Sequence, residues 1–329
     1  VDFGAGQGYY TLDYRWFGGT SINVNLTLAS GQIDKGADGI DTLVNLANIN
    51  SVIGGLGIYG TDGDDIIIGS NVANSYLSYR GHGGDDTFIG TAAGWDRVDY
   101  AYSGATVGVT VTMTGQGAGT TTEDGFGGTD TFSNIDEVRG SDLGDFLYGG
   151  DFNDRFITRG GNDYVDGGLG YDIVRYDRSD VGPMTVDLGA GTASGSWLGT
   201  AFTDTLLNIE DVRGSFGNDT LTGSTGDDNL HGNSGNDTLY GGDGNDHLYG
   251  EAGNDTIYTG NNLGGQLGYD FVYGSSGNDI IDFGTGTGFY SVIYNGIAGP
   301  IIADLRLASG QIDKGTGEFD TLVNVSSLT

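Results

Sequence analysis

The sequence predicts an all-β fold, a right-handed parallel β-roll or β-solenoid with β-rich spacers, and three observations carry that expectation. Glycine supplies 66 of 329 residues and proline only 2, with no Gly-X-Y period, which excludes collagen and favours a turn-dense chain. The apolar 36% is too little for one large compact core, but Val, Ile, Leu, Phe and Tyr occur in short pieces suited to strands. Above all, a nine-residue word recurs in register.

The word is plainest from Gly214 to Tyr258: GSFGNDTLT, GSTGDDNLH, GNSGNDTLY, GGDGNDHLY and GEAGNDTIY. Aspartate is always sixth and Leu or Ile always eighth. A second unbroken run from Gly140 to Arg175 reads GSDLGDFLY, GGDFNDRFI, TRGGNDYVD and GGLGYDIVR, and the turns at Gly60 and Gly81 continue it. The sixth-position aspartates are Asp65, Asp86, Asp96, Asp145, Asp154, Asp163, Asp172, Asp219, Asp228, Asp237, Asp246, Asp255, Asp270 and Asp279. Asp96 comes one residue late, an insertion around Asn261 to Gly264 interrupts the last block, and Gly288 stands where another aspartate is expected.

In each word the first six residues are turn chemistry, where glycine supplies positive φ and Asn or Asp tolerates it. The last three form a short strand whose middle side chain points inward. Two words make one coil of eighteen residues, and coils stack at about 4.8 Å. Stacking sets Asp219 over Asp237, Asp228 over Asp246, Asp237 over Asp255, Asp145 over Asp163 and Asp154 over Asp172. Such small coils bury little apolar area against the entropy of ordering glycine-rich turns, and stacked like charges oppose them further. A hard cation between turns resolves the conflict: Ca²⁺ accepts six to eight oxygens flexibly, whereas Mg²⁺ insists on a tight octahedron and zinc lacks His and Cys ligands.

The motif G-x-x-G-x-D-x-(apolar)-x resembles the RTX family, "repeats in toxin", whose nonapeptides bind Ca²⁺ in a β-roll. The resemblance implies that carbonyls of positions two and four of one turn, and one and three of the next, complete each calcium shell. For the ion between Asp219 and Asp237 these are Ser215, Gly217, Gly232 and Ser234, and the same rule brings in Gly226, Gly235, Gly241, Gly244, Gly250 and Gly253. About eight to ten ions follow from stacking and ligand number. They would offset more than half of a formal charge of -33, which arises from 45 Asp plus Glu against 12 Lys plus Arg. The spacing of the aspartates argues against a merely solubilising surface, and the charge repels nucleic acid.

Spacers of roughly forty residues separate the blocks. Each alternates apolar residues, as in Val109, Val111 and Val186, Leu188, and then reads D-T-(apolar)-x-N at Asp41, Asp130, Asp204 and Asp320. These segments are expected to continue the solenoid as wider metal-free coils or to lay a hairpin across it, with the four aspartates capping turns. The organisation is then 1–95, spacer plus irregular words; 96–175, spacer plus block; 176–288, spacer plus long block; and 289–329, the start of a further unit. LASGQIDKG at Leu28 recurs word for word at Leu307, a period of about 280 residues that points to a tandem array and roughly 70 Å of rod per unit.

No active site emerges. His82, His231 and His247 occupy variable positions without a nucleophile, and GLGIYG at Gly55 fits a dinucleotide fingerprint only as glycine-rich chains do by accident. Carboxylate pairs of glycosidase type are already assigned to calcium. Most aromatics are expected in the walls or core, with Trp16 and Phe17 as candidates for a lateral or sugar contact. Asn-x-Ser/Thr at Asn25, Asn218, Asn236, Asn254 and Asn324 are by-products of the turn motif. Cysteine is absent, no run of about 18 apolar residues exists to insert in a membrane, and the start at Val1 without a signal-like segment points to a fragment.

The resemblance implies secretion by a bacterial type I system and folding outside the cell, where calcium is millimolar. The leading expectation is a non-enzymatic, calcium-stabilised structural segment of a large secreted bacterial surface adhesin, matrix fibre or surface-layer protein. It could self-associate, including end to end into filaments, or bind cell-surface polysaccharide. The alternative is a non-catalytic accessory module of a secreted protease, lipase or alginate epimerase.

Overall fold

The computed structural model describes residues 9–16, 21–28, 31–38, 40–43, 55–101, 104–260, 269–284, 289–294, 302–304, 310–315 and 317–324. The insertion at 261–264, Gly288 and Phe17 lie outside them. The described residues form β-strands and one 3-10 turn at Gly36–Asp38; no helix among them is long and apolar enough to cross a membrane. The chain divides into two compact units, Val1–Asp172 and Ile173–Thr329.

In the second unit each word yields one strand, and alternate words feed opposite walls. On one wall Ile173–Arg175, Asp211–Arg213, Asn229–His231, His247–Tyr249, Tyr269–Gly274 and Phe289–Tyr294 pair in parallel. Thr185–Asp187, Thr220–Thr222, Thr238–Gly242, Thr256–Gly260, Ile280–Asp282 and Phe319–Val323 build the other. Register follows the eighteen-residue coil: Leu221 lies opposite Leu239, and Leu230 opposite Leu248. The buried middle residues thus make two inward ladders, Val174, Val212, Leu230, Leu248, Val272 and Val186, Leu221, Leu239, Ile257, Ile281, all inaccessible or nearly so. Burying one such side chain fully contributes about 2 kcal/mol.

Outward neighbours stack in the same register. Tyr240 lies on Tyr258 at 4.7 Å, and His231, Tyr249 and Tyr273 follow one another at 4.1 and 4.0 Å. His231 is therefore a half-buried member of an aromatic column, and His247 packs beside it on Phe271 at 4.8 Å. His82 instead meets Asp62 at 2.5 Å and Phe126.

The first unit has the same plan. Tyr10–Asp13, Leu56–Tyr59, Tyr76–Arg80, Trp95–Asp99, Glu137–Arg139 and Arg155–Ile157 pair in parallel, and Leu12, Ile58, Tyr79, Val98, Val138 and Phe156 form the inward ladder. The glycines around GLGIYG thus belong to a buried strand. On this wall's outer side the buried Asp99 carboxylate meets Arg80 at 2.9 Å, Arg139 at 3.2 Å and Arg97 at 3.5 Å. Burial alone would raise its pKa, but Arg139, Arg97 and Arg80 outweigh it and hold it down to about 2.

The spacers are neither wide coils nor hairpins laid across the solenoid. Each is a three-stranded antiparallel meander with at least one outer strand paired in parallel with the stack. In the first unit Thr110–Gly115, Ala118–Glu123 and Thr131–Ser133 pair in sequence; Thr131–Ser133 lies parallel to Thr87–Ile89, and Thr110–Gly115 parallel to Phe146–Tyr148. Asn23–Asn25, Gly31–Asp34 and Ile40–Leu43 form another, and in the second unit so do Thr185–Asp187, Thr192–Trp197 and Thr200–Leu207, and Ile302–Asp304, Gly310–Asp313 and Phe319–Val323.

Trp16 is 90% exposed, whereas Trp197 is buried in its meander, and Trp95 lies under the Arg155 guanidinium at 4.8 Å.

Candidate metal sites in the turns

Every sixth-position aspartate with a described successor is tied to it by one hydrogen bond. The backbone N–H of Asp219 donates to Asp237 Oδ1 at 2.8 Å, Asp228 to Asp246 at 3.0 Å, and Asp237 to Asp255 at 2.9 Å. Asp145 and Asp154 donate to Asp163 and Asp172 at 2.8 and 2.7 Å. All five stackings expected from the sequence are present. The longer interval across the insertion keeps the pattern, with Asp246 donating to Asp270 at 3.2 Å and Asp255 to Asp279 at 3.0 Å. Asp65 donates likewise to Asp86 at 2.8 Å.

The fifth position makes a complementary ladder beyond the ligands expected from the sequence. Asn218 Oδ1 accepts the N–H of Asn236, Asn236 that of Asn254, and Asp227 that of Asn245, each at 2.8 Å. The signal was visible in the Asn or Asp that precedes ten of the fourteen sixth-position aspartates. Three of the Asn-x-Thr matches are these ladder residues.

Two kinds of turn differ in what the second aspartate oxygen receives. In the turns beginning at Gly60, Gly140, Gly149, Gly214 and Gly223, the second-position N–H donates to Oδ2 of the turn's own aspartate: Thr61 to Asp65, Ser141 to Asp145, Gly150 to Asp154, Ser215 to Asp219 and Ser224 to Asp228, at 2.6 to 2.8 Å. Where that residue is Ser or Thr, its hydroxyl also reaches the carboxylate and accepts the N–H of position four, as Ser215 does from Gly217 at 2.9 Å. These turns are closed by their own donors.

In the turns at Gly81, Thr158, Gly232, Gly241 and Gly250 the second residue adopts positive φ: His82 at 89°, Arg159 at 105°, Asn233 at 69°, Gly242 at 113° and Glu251 at 66°. The fourth, Gly84, Gly161, Gly235, Gly244 or Gly253, does so too. The turn at Gly167 is alike through Gly168 and Gly170. Reversing position two swings its N–H away, so Oδ2 of Asp86, Asp237, Asp246 and Asp255 is buried with no hydrogen-bond partner. Each of these open turns follows a closed one in the stack except that at Gly250, which follows the open turn at Gly232.

Glycine is needed at two places for two reasons. A Cβ at Gly232 or Gly250 would run into Oδ2 of Asp237 or Asp255, and one at Gly235 or Gly253 into the carbonyl oxygen of Gly217 or Gly235 one coil back. The open turn thus packs carboxylate and carbonyl oxygens where no side chain fits.

The electrostatics follow. Burial raises the closed-turn carboxylates Asp65, Asp219 and Asp228 to about 6 against partly compensating hydrogen bonds. Burial, with neighbouring aspartates adding to it, raises Asp237 to about 7, Asp246 to about 8 and Asp86 to about 9. A buried carboxylate oxygen without a donor is costly, and an oxygen-seeking cation removes the cost. Near the open Asp237, the carbonyls of Ser215, Gly217, Gly232 and Ser234 accept no hydrogen bond among the described residues. One coil on, the carbonyls of Asn233 and Ala252 accept from Ala252 and Gly235 at 2.7 and 2.9 Å. No three His, Cys, Asp or Glu groups among the described residues gather to hold an ion by side chains alone, so backbone oxygens must share the work. The donor set, all oxygen with paired carboxylates, fits calcium.

The late Asp96 plays the usual part over a longer loop, accepting from Thr91 N–H at 2.7 Å and the Tyr79 hydroxyl at 2.5 Å. The spacer aspartates do more than cap turns. Asp130 and Asp320 accept the N–H of Asp86 and Asp279 at 3.1 and 3.0 Å, becoming the next rungs of the ladder. Each also meets a tyrosine 26 to 30 residues earlier: Tyr14 with Asp41, Tyr100 with Asp130, Tyr176 with Asp204 and Tyr294 with Asp320.

A family model described as the RTX calcium-binding nonapeptide repeat, in four copies, matches residues 58–74, 139–174, 209–239, 231–262 and 260–290. These intervals hold most of the open and closed turns; the turn at 81–86 lies outside them. No curated protein matches the chain. Among solved structures it is similar to the extracellular lipase LipA from Serratia marcescens at 18% identity, with a TM-score of 0.14, over 60% of this chain and 42% of that one.

Proposed function

Because this chain is an RTX calcium-binding repeat protein, we propose that its open turns hold Ca²⁺ and that the metal-stiffened coils serve as a structural segment of a large secreted bacterial surface or matrix protein. The observation that carries the metal sites is the buried, donor-less Oδ2 of Asp237, Asp246 and Asp255 in consecutive turns. Bound calcium supplies the positive charge those oxygens lack. The chain supplies the rest: Asp219 and Asp237 face one ion with the carbonyls of Ser215, Gly217, Gly232 and Ser234, and the stacked pairs Asp228/Asp246, Asp237/Asp255, Asp246/Asp270, Asp255/Asp279, Asp145/Asp163, Asp154/Asp172 and Asp65/Asp86 follow the same rule. Gly226, Gly235, Gly241, Gly244, Gly250 and Gly253 present backbone oxygen to these sites. Stacking allows about eight to ten ions. Open turns take them first.

Folding is then linked to calcium, because an ion that binds only the stacked state stabilises it. A chain exported in low calcium would fold outside the cell. The structural role rests on the verbatim return of Leu28–Gly36 at Leu307–Gly315, which suits tandem units better than a single accessory module. Electron microscopy with and without calcium tests it: elongated particles or filaments only with calcium are expected, and compact particles in both conditions would refute it. Equilibrium dialysis gives the ion count, and fewer than one ion per open turn would refute the site assignment.

A further inference from the structure

The ladder of the second unit runs from Asp219 through Asp237 and Asp255 to Asp279, whose N–H donates to the spacer residue Asp320. Its first rung is closed by Ser215. Its last is closed differently: the side chain of Lys314, wholly buried, reaches in from the meander turn between Gly310–Asp313 and Phe319–Val323. The Nζ donates to Asp320 Oδ1 at 2.7 Å and to the carbonyl of Ser275 at 2.8 Å, and lies 3.5 Å from Asp279 Oδ2. Ser275 is position two of the word that contains Asp279, so a stacked aspartate pair and a position-two carbonyl surround the ammonium. Those are the ligand types assigned to calcium in the earlier coils. An ammonium has three donors, and three oxygens lie around it.

We infer that Lys314 is a built-in cation occupying the place of a calcium ion between Asp279 and Asp320, so that the metal ladder ends there on a protein group. The assignment rests on the calcium reading above. A divalent ion at 2.3 to 2.6 Å from the same oxygens would overlap the Nζ, so the two exclude each other. The position is written into the spacer. Lys314 precedes Asp320 by six residues, and Lys35 precedes Asp41 by six, where Nζ and carboxylate stand 3.0 Å apart. In the spacer ending at Asp130 the sixth residue back is Asp124, a buried carboxylate, so the lysine is a property of particular junctions.

The experiment counts calcium at saturation in the wild type, Lys314→Arg and Lys314→Met. Lys314→Met is expected to bind one ion more than the wild type, to melt at a lower temperature in calcium-free buffer and to regain the wild-type melting temperature in calcium; Lys314→Arg keeps the wild-type count. Calcium anomalous diffraction from wild-type crystals gives the second measurement, with peaks expected at the Asp237/Asp255 pair and none between Asp279 and Asp320. A peak at that last pair, or a folded Lys314→Met with an unchanged count, overturns the inference while leaving calcium in the open turns intact. A wild type that binds no calcium refutes the broader reading instead.

Discussion

Metal-free protein should be more stable in mild acid than at neutral pH, the reverse of ordinary acid denaturation. Asp246 shows why. In the fold its pKa stands at about 8 against 3.8 for the free group, chiefly through burial. Four units at about 1.4 kcal/mol each amount to something on the order of 6 kcal/mol for a single carboxylate, comparable with the whole stability of a domain, about 5 to 15 kcal/mol. Because the folded form binds the proton more tightly than the unfolded chain, this contribution is complete below about pH 4 and is lost as pH rises through about 8. Asp237, at about 7, adds a loss in the same direction that ends lower. The opposing carboxylates, Asp99 at about 2 and Asp13, Asp41 and Asp85 lowered by hydrogen bonds, lose their contribution only as pH falls below about 4, beneath this window. Circular-dichroism melts in calcium-free buffer between pH 4.5 and 8.5 should therefore show a fall on the order of 10 to 20 °C. Millimolar calcium should restore the melting temperature at pH 8 and do little at pH 4.5, where protons hold the sites. A metal-free melting temperature that is flat or rises with pH would refute the argument.

Asp246→Asn removes the buried charge while keeping the shape, so it should raise the melting temperature without calcium and lower it with calcium, a change of sign that paired melts detect. Gly253→Ala must place a methyl on the Gly235 carbonyl at φ 146°, and should cost at least about 1 to 3 kcal/mol in a denaturant titration, whereas Gly226→Ala, with its nearest neighbour 3.5 Å away, should stay within about 0.5 kcal/mol. Asp99→Asn leaves Arg80, Arg97 and Arg139 without their shared carboxylate and should cost about 3 to 5 kcal/mol equally in calcium and in chelator. Leu239→Ala should cost about 2 to 5 kcal/mol in calcium-loaded protein, read from the same titration.

The coil, its register and the aspartate stacking were legible because a strict nine-residue period leaves one way to place Leu221 over Leu239 and Asp219 over Asp237. The two turn states were written less openly. Ser or Thr at position two of the words at Gly60, Gly140, Gly214 and Gly223 marks closed turns, and Leu143 and Phe152 at position four occur only there, since an open turn asks that position for positive φ. Read one word at a time, these look like noise in a glycine motif; they acquire meaning only once the hydrogen bonds of Ser215 and Ser224 are seen. The path of the spacers was not legible. Alternation in Val109, Val111 and Met113 specifies a half-buried strand but not its partner, and Lys314 lies 35 residues from Asp279, beyond any local pattern.

The meanders also explain why the ladder must change character at each spacer. Between Thr87–Ile89 and Phe146–Tyr148 one wall gains three strands, while the opposite wall passes from Trp95–Asp99 to Arg155–Ile157 through Glu137–Arg139 alone. The walls are thus out of step by two strands, roughly 10 Å at strand spacing. An ion needs two turns one coil apart, so a meander that separates coils by more than one spacing cannot be bridged by aspartates of the nonapeptide type alone. The chain meets this with the spacer's own aspartate, Asp130 or Asp320, set one strand from the last word and braced by a tyrosine, Tyr100 or Tyr294. What completes that rung is then a choice open to each spacer. A lysine there makes the junction independent of calcium, so the folded spacer can persist when the metal-bound coils beside it loosen.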